Sequence, residues 1–505
     1  MTRLDNEFQH DADVIVIGSG FGGSVAASRL VDAGRSVLLL ERGPWRDTVP
    51  VREAGITNTR PLPRNGGITS VIRSLHPPFG PKRGIRLNRS GFLDLWIGQG
   101  VKAVCTSGMG GGSHIWAAML EQPPEGFWNG RAAGLSDDVL AGHYDRTLQE
   151  LKGVQPPDPA RVPNHTDHAW AGEDYFTPLG PGEQPPMAVL YPEQDSAPQP
   201  QTDEHGIVRM PMDFHKEHGM FGSPDGSKST VDALYLLPAM QKGLAVRPMH
   251  EVRAIFRQGN GGYRVKVHDL DKRRDLFFSA PEVVLAAGTM NTNHVLLHSC
   301  RKGGLDALPE LGKGFGANGD LIGSWPVPED GSRDSVLGPP VHGRVRIKGH
   351  EDSAYVILAA GDTPPVPGFL YAKARAKAGR AFDVVAMSQD AADGLVRMDK
   401  GRMKFSFSMD GSPSYAATMR AFEALGELSG RPLRFDAGSV MTAHPMGGCR
   451  ISDDATAGVV DGAGQVHGCP GLYIADASVF PQPVGVPPSL SIAAWASHVA
   501  GRMTG

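Results

Sequence analysis

The chain has 505 residues and a formal net charge of −4, with 40% hydrophobic and 21% charged residues; this predicts a globular protein of two or more domains. There is no long basic run for nucleic acid, no apolar stretch of about 18 residues for a membrane span, and no apolar signal-peptide core in MTRLDNEFQHDAD, so a cytoplasmic location is expected. The four cysteines, Cys105, Cys300, Cys449 and Cys469, are scattered without C-x-x-C spacing, which argues against a disulfide framework and leaves no expected metal site.

Val14-Ile15-Val16-Ile17 reads as a buried strand, and Gly18, Gly20 and Gly23 follow in G-x-G-x-x-G spacing. Gly18 permits the tight turn, Gly20 lets the backbone approach a pyrophosphate, and Gly23 lets the helix starting near Phe21 pack on the sheet. The phosphates would sit on that helix's free N–H groups and positive dipole end. A helix over Ser24–Ala33, a turn at Gly34 and a second strand, Ser36–Leu40, lead to Glu41, 18 residues past Gly23. A carboxylate there accepts hydrogen bonds from a ribose diol and argues against a 2′-phosphate, hence against NADP. The motif by itself leaves NAD and FAD open.

Residues 44–90, rich in Pro, Gly and Arg, read as a long excursion covering a bound cofactor. Glycines concentrate at Gly108-Met109-Gly110-Gly111-Gly112-Ser113. A helix over 136–152 is predicted from the Ser136 cap with Asp137 and Asp138 in its first turn. Residues 153–226 are Pro-rich and irregular. Tyr235–Lys242 reads as helix, Leu244–Pro248, Val252–Arg257 and Tyr263–Val267 as strands, and Val283–Thr289 as a buried strand leading into a helix to about Cys300. Between about 320 and 410, runs such as Tyr355–Leu358, Val384–Met387 and Met403–Ser408 look like antiparallel strands. Tyr415–Ser429 is helical, Gly471–Asp476 is another buried strand, and Leu490–Met503 is the last helix.

Five blocks in chain order resemble the glucose-methanol-choline (GMC) oxidoreductases, flavoenzymes that oxidise alcohols. They are Gly18–Gly23 with Glu41; Gly110-Gly111-Gly112-Ser113; Lys228–Leu236; Ala286-Ala287-Gly288-Thr289 with Leu296-Leu297; and His444-Pro445-Met446-Gly447-Gly448-Cys449 with Leu472–Ser478. The second and third are most similar to the bacterial cholesterol-oxidase-like branch. The resemblance implies an α/β fold: an FAD-binding Rossmann-like domain from residues 1–45, 85–150, 227–318 and 437–505, a cofactor-covering excursion at 46–84, and an interleaved α+β substrate domain with an antiparallel sheet from 151–226 and 319–436. It implies FAD contacts at Gly18, Gly20, Phe21, Gly22, Gly23, Glu41, Arg42, Gly110, Gly111, Gly112, Ser113, Val252 (adenine), Ala287, Gly288, Asp476 and Ala477. Asp476 reads alternatively as a cap of the next turn. Family members with covalent flavin carry a histidine where this chain has Ile115. His114 is one place off, so non-covalent FAD is expected.

Alcohol oxidation needs a base for the hydroxyl proton and a hydride acceptor, flavin N5. His444 matches the family's catalytic histidine and has the chemistry for the base. The family's second polar residue, Asn or His, aligns with Pro487, which offers no side-chain donor or acceptor. An Asn after the glycine-serine loop is replaced by Trp116. Ser489 and His498 are the candidates to take over, while Glu351 and Asp362 are weak matches for a glutamate used in the cholesterol-oxidase-like branch. The expected function is FAD-dependent oxidation of a small hydrophobic, sterol- or terpenoid-like alcohol, with Trp116 and Ser489 beside His444. The alternatives are a flavin-dependent double-bond isomerase using His444 as proton shuttle, and a non-catalytic flavoprotein.

Overall fold

A computed structural model describes residues 10–63, 71–156, 174–177, 184–193, 197–214, 222–259, 261–326, 341–360, 370, 373 and 380–505. Its organising element is a five-stranded parallel sheet in the order Ala245–Arg247, Val37–Leu40, Val14–Ile17, Glu282–Leu285, Leu472–Ile474. Val14–Ile17, in the centre, is buried throughout, as a strand covered on both faces must be. The helix Phe21–Asp32 covers one face and packs against the last helix, Ser489–Thr504. The helix Asp137–Glu150 packs on the last helix in turn, its Ser136 hydroxyl accepting from the Val139 N–H as the cap predicted.

All five strands run the same way, so their C-terminal ends share one edge. That edge carries Gly18, Glu41, Ala286 and Asp476 directly, and Val252 through the hairpin that follows Ala245–Arg247. Four of these segments lie far apart in the chain. Ligands of open α/β sheets bind at this edge.

A six-stranded antiparallel sheet forms the second layer, in the order Arg434–Phe435, Leu321–Pro326, Ala381–Ala386, Val356–Ala360, Val341–Ile347, Phe176–Thr177. The chain is thus an α/β protein with added antiparallel sheets. The helix Pro413–Ser429 ends at Gly430 in the left-handed conformation, as its sequence predicts.

Two regions differ from expectation. Residues 44–90 are not merely an excursion: Ile72–His76 joins a sheet with Leu93–Ile97, Val101–Thr106 and Val440–Thr442. The strand is cryptic in sequence because its inward residue is Arg73, buried against Asp94 and Glu251. A buried, paired arginine breaks the apolar alternation by which strands are read. The Lys228–Leu236 block opens not as regular helix but as a π-helical turn, Asp232–Leu236, before Leu237–Gln241 continues as α-helix.

Candidate functional site

A cavity of about 800 Å³ follows the shared strand edge and continues under the six-stranded sheet. At its nucleotide end the glycine turn is built by exclusion. Gly18 has φ +98°, and a Cβ on it would stand 2.3 Å from the Ala286 carbonyl oxygen. Gly22 and Gly23 are equally closed, at 1.8 Å from Ala475 O and 1.9 Å from Gly18 O. Gly20 is different: a Cβ there would meet nothing within 4 Å, because it faces the cavity. The first N–H groups of Phe21–Asp32 have no intrahelical partner. Open space at Gly20 beside free donors is what a pyrophosphate requires, so these residues fit a dinucleotide.

Glu41 is buried beside this turn; its carboxylate accepts from Ser19 N at 3.1 Å, Ser19 Oγ at 2.8 Å and Gly43 N at 2.8 Å. Arg42 donates to Asn291 Oδ1 at 2.8 Å and pairs with the fully buried Asp94 at 2.5 Å. Phe21, Val252, Ala287, Gly288, Asp476 and Ala477 line the same cavity. Asp476 also acts as the cap that its sequence allowed: it accepts from Ser478 N at 2.9 Å, Gly288 N at 2.9 Å and Thr292 Oγ1 at 2.5 Å. This ties the last strand to the start of the helix Thr289–Arg301.

The glycine-serine loop divides. Gly111 and Gly112 line the cavity, and a Cβ on Gly111 would come within 2.8 Å of Gly20 Cα. Gly110, Ser113 and Gly23 lie outside the lining. The Ser113 hydroxyl donates to Gly110 O at 2.8 Å and accepts from Val231 N at 3.1 Å, so it fastens the loop to the Lys228 block. His114 is buried and also turned away, with Nε2 at 2.9 Å from Met109 O and 3.4 Å from Asp232. Trp116 lines the cavity, its ring edge-on to Phe21 at 4.9 Å and its Nε1 donating to Ser229 O at 3.1 Å.

His444 stands at the other end of the cavity. The strand Val440–Thr442, seated beside Val101–Thr106, delivers it there. Its Nδ1 lies 3.0 Å from both carboxylate oxygens of Asp320, so Nδ1–H donates and Nε2 is left without a partner among the described residues. The Asp320 side chain is 2% exposed and that of His444 26% exposed. Asp320 is itself held by Thr442 Oγ1 at 2.7 Å and Ala443 N at 3.2 Å. Burial alone would lower the imidazole pKa, but the Asp320 charge and hydrogen bond outweigh it and raise the pKa above the ordinary value.

Asp320 escaped the sequence reading. It lies 124 residues from His444 and belongs to no motif. The turn before it is braced on both sides. Asp390 accepts from Ala317 N at 2.8 Å and Gly319 N at 2.9 Å. Asn318 donates to Val486 O at 3.0 Å and accepts from Gly485 N at 2.8 Å. One turn therefore holds both His444 and the loop that leads to Pro487.

Pro487, Pro488 and Ser489 all line the cavity, and the Ser489 hydroxyl has no hydrogen-bond partner among the described residues. His498 does not reach it; its Nε2 bonds to Gly462 O at 2.9 Å. Glu351 is exposed and off the lining, and Asp362 falls outside the described residues. Beyond His444 the wall is apolar: Ile322, Val341, Ile357, Ala359, Val385 and Met387. Among the described residues no group of three or more His, Cys, Asp and Glu side chains could hold a metal, and no helix is long and apolar enough to cross a membrane.

Comparison with known proteins agrees with this architecture. Residues 206–316 and 375–496 match the two models of the GMC oxidoreductase family, and residues 16–44 match an NAD(P)-binding Rossmann-like domain. Cholesterol oxidase of Mycobacterium tuberculosis is 26% identical over 97% of this chain and 90% of that protein. Cholesterol oxidase of Acinetobacter baumannii is 24% identical over 97% of this chain and 94% of its own length. The crystal structure of pyridoxine 4-oxidase from Mesorbium loti superposes with a TM-score of 0.61 at 18% identity, covering 97% of this chain and 99% of that one, a likeness of fold. The matched domains imply a flavin cofactor. The chain belongs to the GMC oxidoreductase family, as an enzyme of its cholesterol-oxidase-like branch.

Proposed function

We propose that the protein oxidises a hydrophobic, sterol- or terpenoid-like alcohol, using non-covalently bound FAD. The observation that carries this reading is the His444–Asp320 pair at the end of an apolar chamber. With Nδ1–H committed to Asp320, Nε2 is the lone-pair nitrogen, free to take the hydroxyl proton, and the buried carboxylate stabilises the imidazolium that forms. FAD supplies the hydride acceptor. The Ser489 hydroxyl, without a hydrogen-bond partner among the described residues, orients the substrate oxygen where Pro487 cannot. The aliphatic wall of the six-stranded sheet favours an apolar substrate body and excludes water from the proton transfer. The relatives named as cholesterol oxidases support this substrate class. At the nucleotide end, the open face of Gly20, the free helix N–H groups and Glu41 support an adenine dinucleotide. His114, one place off the covalent attachment position, is absent from the cavity lining, which supports non-covalent attachment.

One observation favours a second reading, an isomerase of unsaturated carbonyl compounds. The raised pKa of His444 suits an acid as well as a base, and two prolines stand where a second polar partner is expected. Anaerobic mixing with panels of apolar alcohols and unsaturated ketones separates the two. Bleaching of the flavin bands by an alcohol, with ketone or aldehyde formed, supports oxidation. Rearranged product from a ketone without bleaching overturns it. Acid precipitation should release yellow FAD to the supernatant, and a yellow pellet would overturn non-covalent binding.

A further inference from the structure

Ten lysines and arginines line the cavity against four carboxylates, in a chain whose net charge is −4. Five of the ten have partners: Arg42, Arg73, Arg86, Arg253 and Lys266 pair with Asp94, Glu251 or Asp275. Arg402 is spent on the carbonyls of Pro78, at 2.8 Å, and Gly80. The remaining four, Lys82, Arg83, Arg301 and Lys302, are exposed, and no ion pair satisfies them among the described residues.

Arg83, Arg301 and Lys302 come from two separate segments and converge beside His298, and Lys82 precedes Arg83 on the cavity lining. Arg301 ends the helix Thr289–Arg301, and Lys302 caps it. A Cβ on Gly401, in the turn between Gly394–Asp399 and Arg402–Ser406, would stand 3.3 Å from Arg301 Nη2, so the guanidinium lies against that turn. Arg402, next in the turn, fastens the 78–80 loop that leads to Lys82 and Arg83. His298 records the convergence: burial first, then Arg301, Lys302 and Arg83, lower its pKa. A basic helix C-terminus accounts for Arg301 and Lys302. It does not account for Lys82 and Arg83 arriving from another segment.

The Arg301–Lys302 side of the rim is also remote from the phosphate cradle. Gly288, tied to Asp476, begins the helix whose far end carries Arg301. At about 1.5 Å per residue the two ends are about 18 Å apart. The two charges of a dinucleotide pyrophosphate held at Gly20 therefore lie about a helix length from Arg301 and Lys302.

We propose that Lys82, Arg83, Arg301 and Lys302 form a second anion site at the mouth of the cavity, which takes a small molecule bearing two or more phosphate or carboxylate charges while the cofactor is in place. A concave mouth built from a helix end, a hairpin turn and a loop suits a compact anion better than an extended polyanion. The proposal rests on the dinucleotide reading of the Gly20 cradle. That reading fails separately, as purified protein without stoichiometric flavin.

The test is calorimetric titration of the flavin-loaded protein at low salt with inorganic pyrophosphate and, in parallel, citrate. The expected result is one saturable site, weakened by added salt, with the flavin spectrum retained. Binding by pyrophosphate alone identifies a phosphate ligand, and binding by both identifies polyvalent anions in general; either supports the site. R301E/K302E should weaken binding by at least about tenfold, as loss of charge-assisted contacts predicts. R83E, outside any helix, should do the same if the double variant folds poorly. Absence of binding, release of flavin by the anion, unchanged affinity in R83E and a folded R301E/K302E, or capture of heparin without capture of pyrophosphate would each overturn the proposal.

Discussion

Asp320→Asn is the sharpest perturbation of the proposed chemistry. The substitution keeps the shape and removes the charge 3.0 Å from His444 Nδ1. If the new amide nitrogen faces the ring, Nδ1 must accept and the proton moves to Nε2, the atom that has to take the substrate proton. A hydrogen bond to a charged partner contributes about 1.5–3 kcal/mol. At about 1.4 kcal/mol per factor of ten, plateau kcat should fall roughly 10- to 150-fold. The pH profile supplies the second readout. Asp320 raises the imidazole pKa, and the base works deprotonated, so wild-type activity rises with pH through that raised value. Without the charge, the acid limb of kcat/KM should move to lower pH even as the plateau drops. Stability follows the same linkage. The pair's contribution to folding is full below the ordinary imidazole value of about 6.5 and is lost as pH rises through the raised folded value. In Asp320→Asn the thermal midpoint should lose that dependence. A plateau within about twofold of wild type, or an acid limb displaced to higher pH, would refute the assignment.

Three further outcomes follow from the geometry. His444→Ala should lower kcat by about 10²–10⁴-fold, the usual worth of a positioned base, with flavin content per chain unchanged; a fully active variant would sink the base assignment. Gly20→Ala and Gly22→Ala should part company. Gly20 has an ordinary φ of −70° and open space, so its variant should keep its fold but retain flavin poorly; a Cβ at Gly22 would strike Ala475 O at 1.8 Å, so that variant should melt lower even without cofactor. Differential scanning with and without added FAD reads both, and equal behaviour would count against the cradle. Asn318→Leu should cost about 1–3 kcal/mol by orphaning Gly485 N and Val486 O, and should raise KM by loosening the Pro487 loop; an unchanged melting curve would show that the clamp is idle.

What the sequence made legible was local. The Val14–Ile17 strand, the Gly18–Gly23 turn and Glu41 lie within one strand–helix–strand unit, so each supports the reading of the others. His444 was legible because its loop must be Pro- and Gly-rich; a Cβ on Gly447 would stand 1.9 Å from Gly314 O. Asp320 was not, because its meaning is a contact between segments that no periodicity joins. Ser113 and Gly110 shared a motif with Gly111 and Gly112, yet the loop turns its two middle residues to the cavity and its two ends away, and spacing in a non-repetitive turn does not say which. The strand Ile72–His76 was masked by the arginine it buries, since charge is read as surface until its partners are known.

The turn that ends in Asp320 runs without interruption into the strand Leu321–Pro326, and Ile322 on that strand faces the apolar chamber. The anchor of the imidazole and this part of the chamber wall are thus one stretch of backbone, two residues apart. Reshaping the chamber at Ile322 pulls on the same segment that aims His444. Under the proposed oxidation, substrate choice and proton transfer are inherited together: a change that admits a bulkier ring at Ile322 should also shift the base, and rates on new substrates should track the His444 pH limb rather than chamber volume alone.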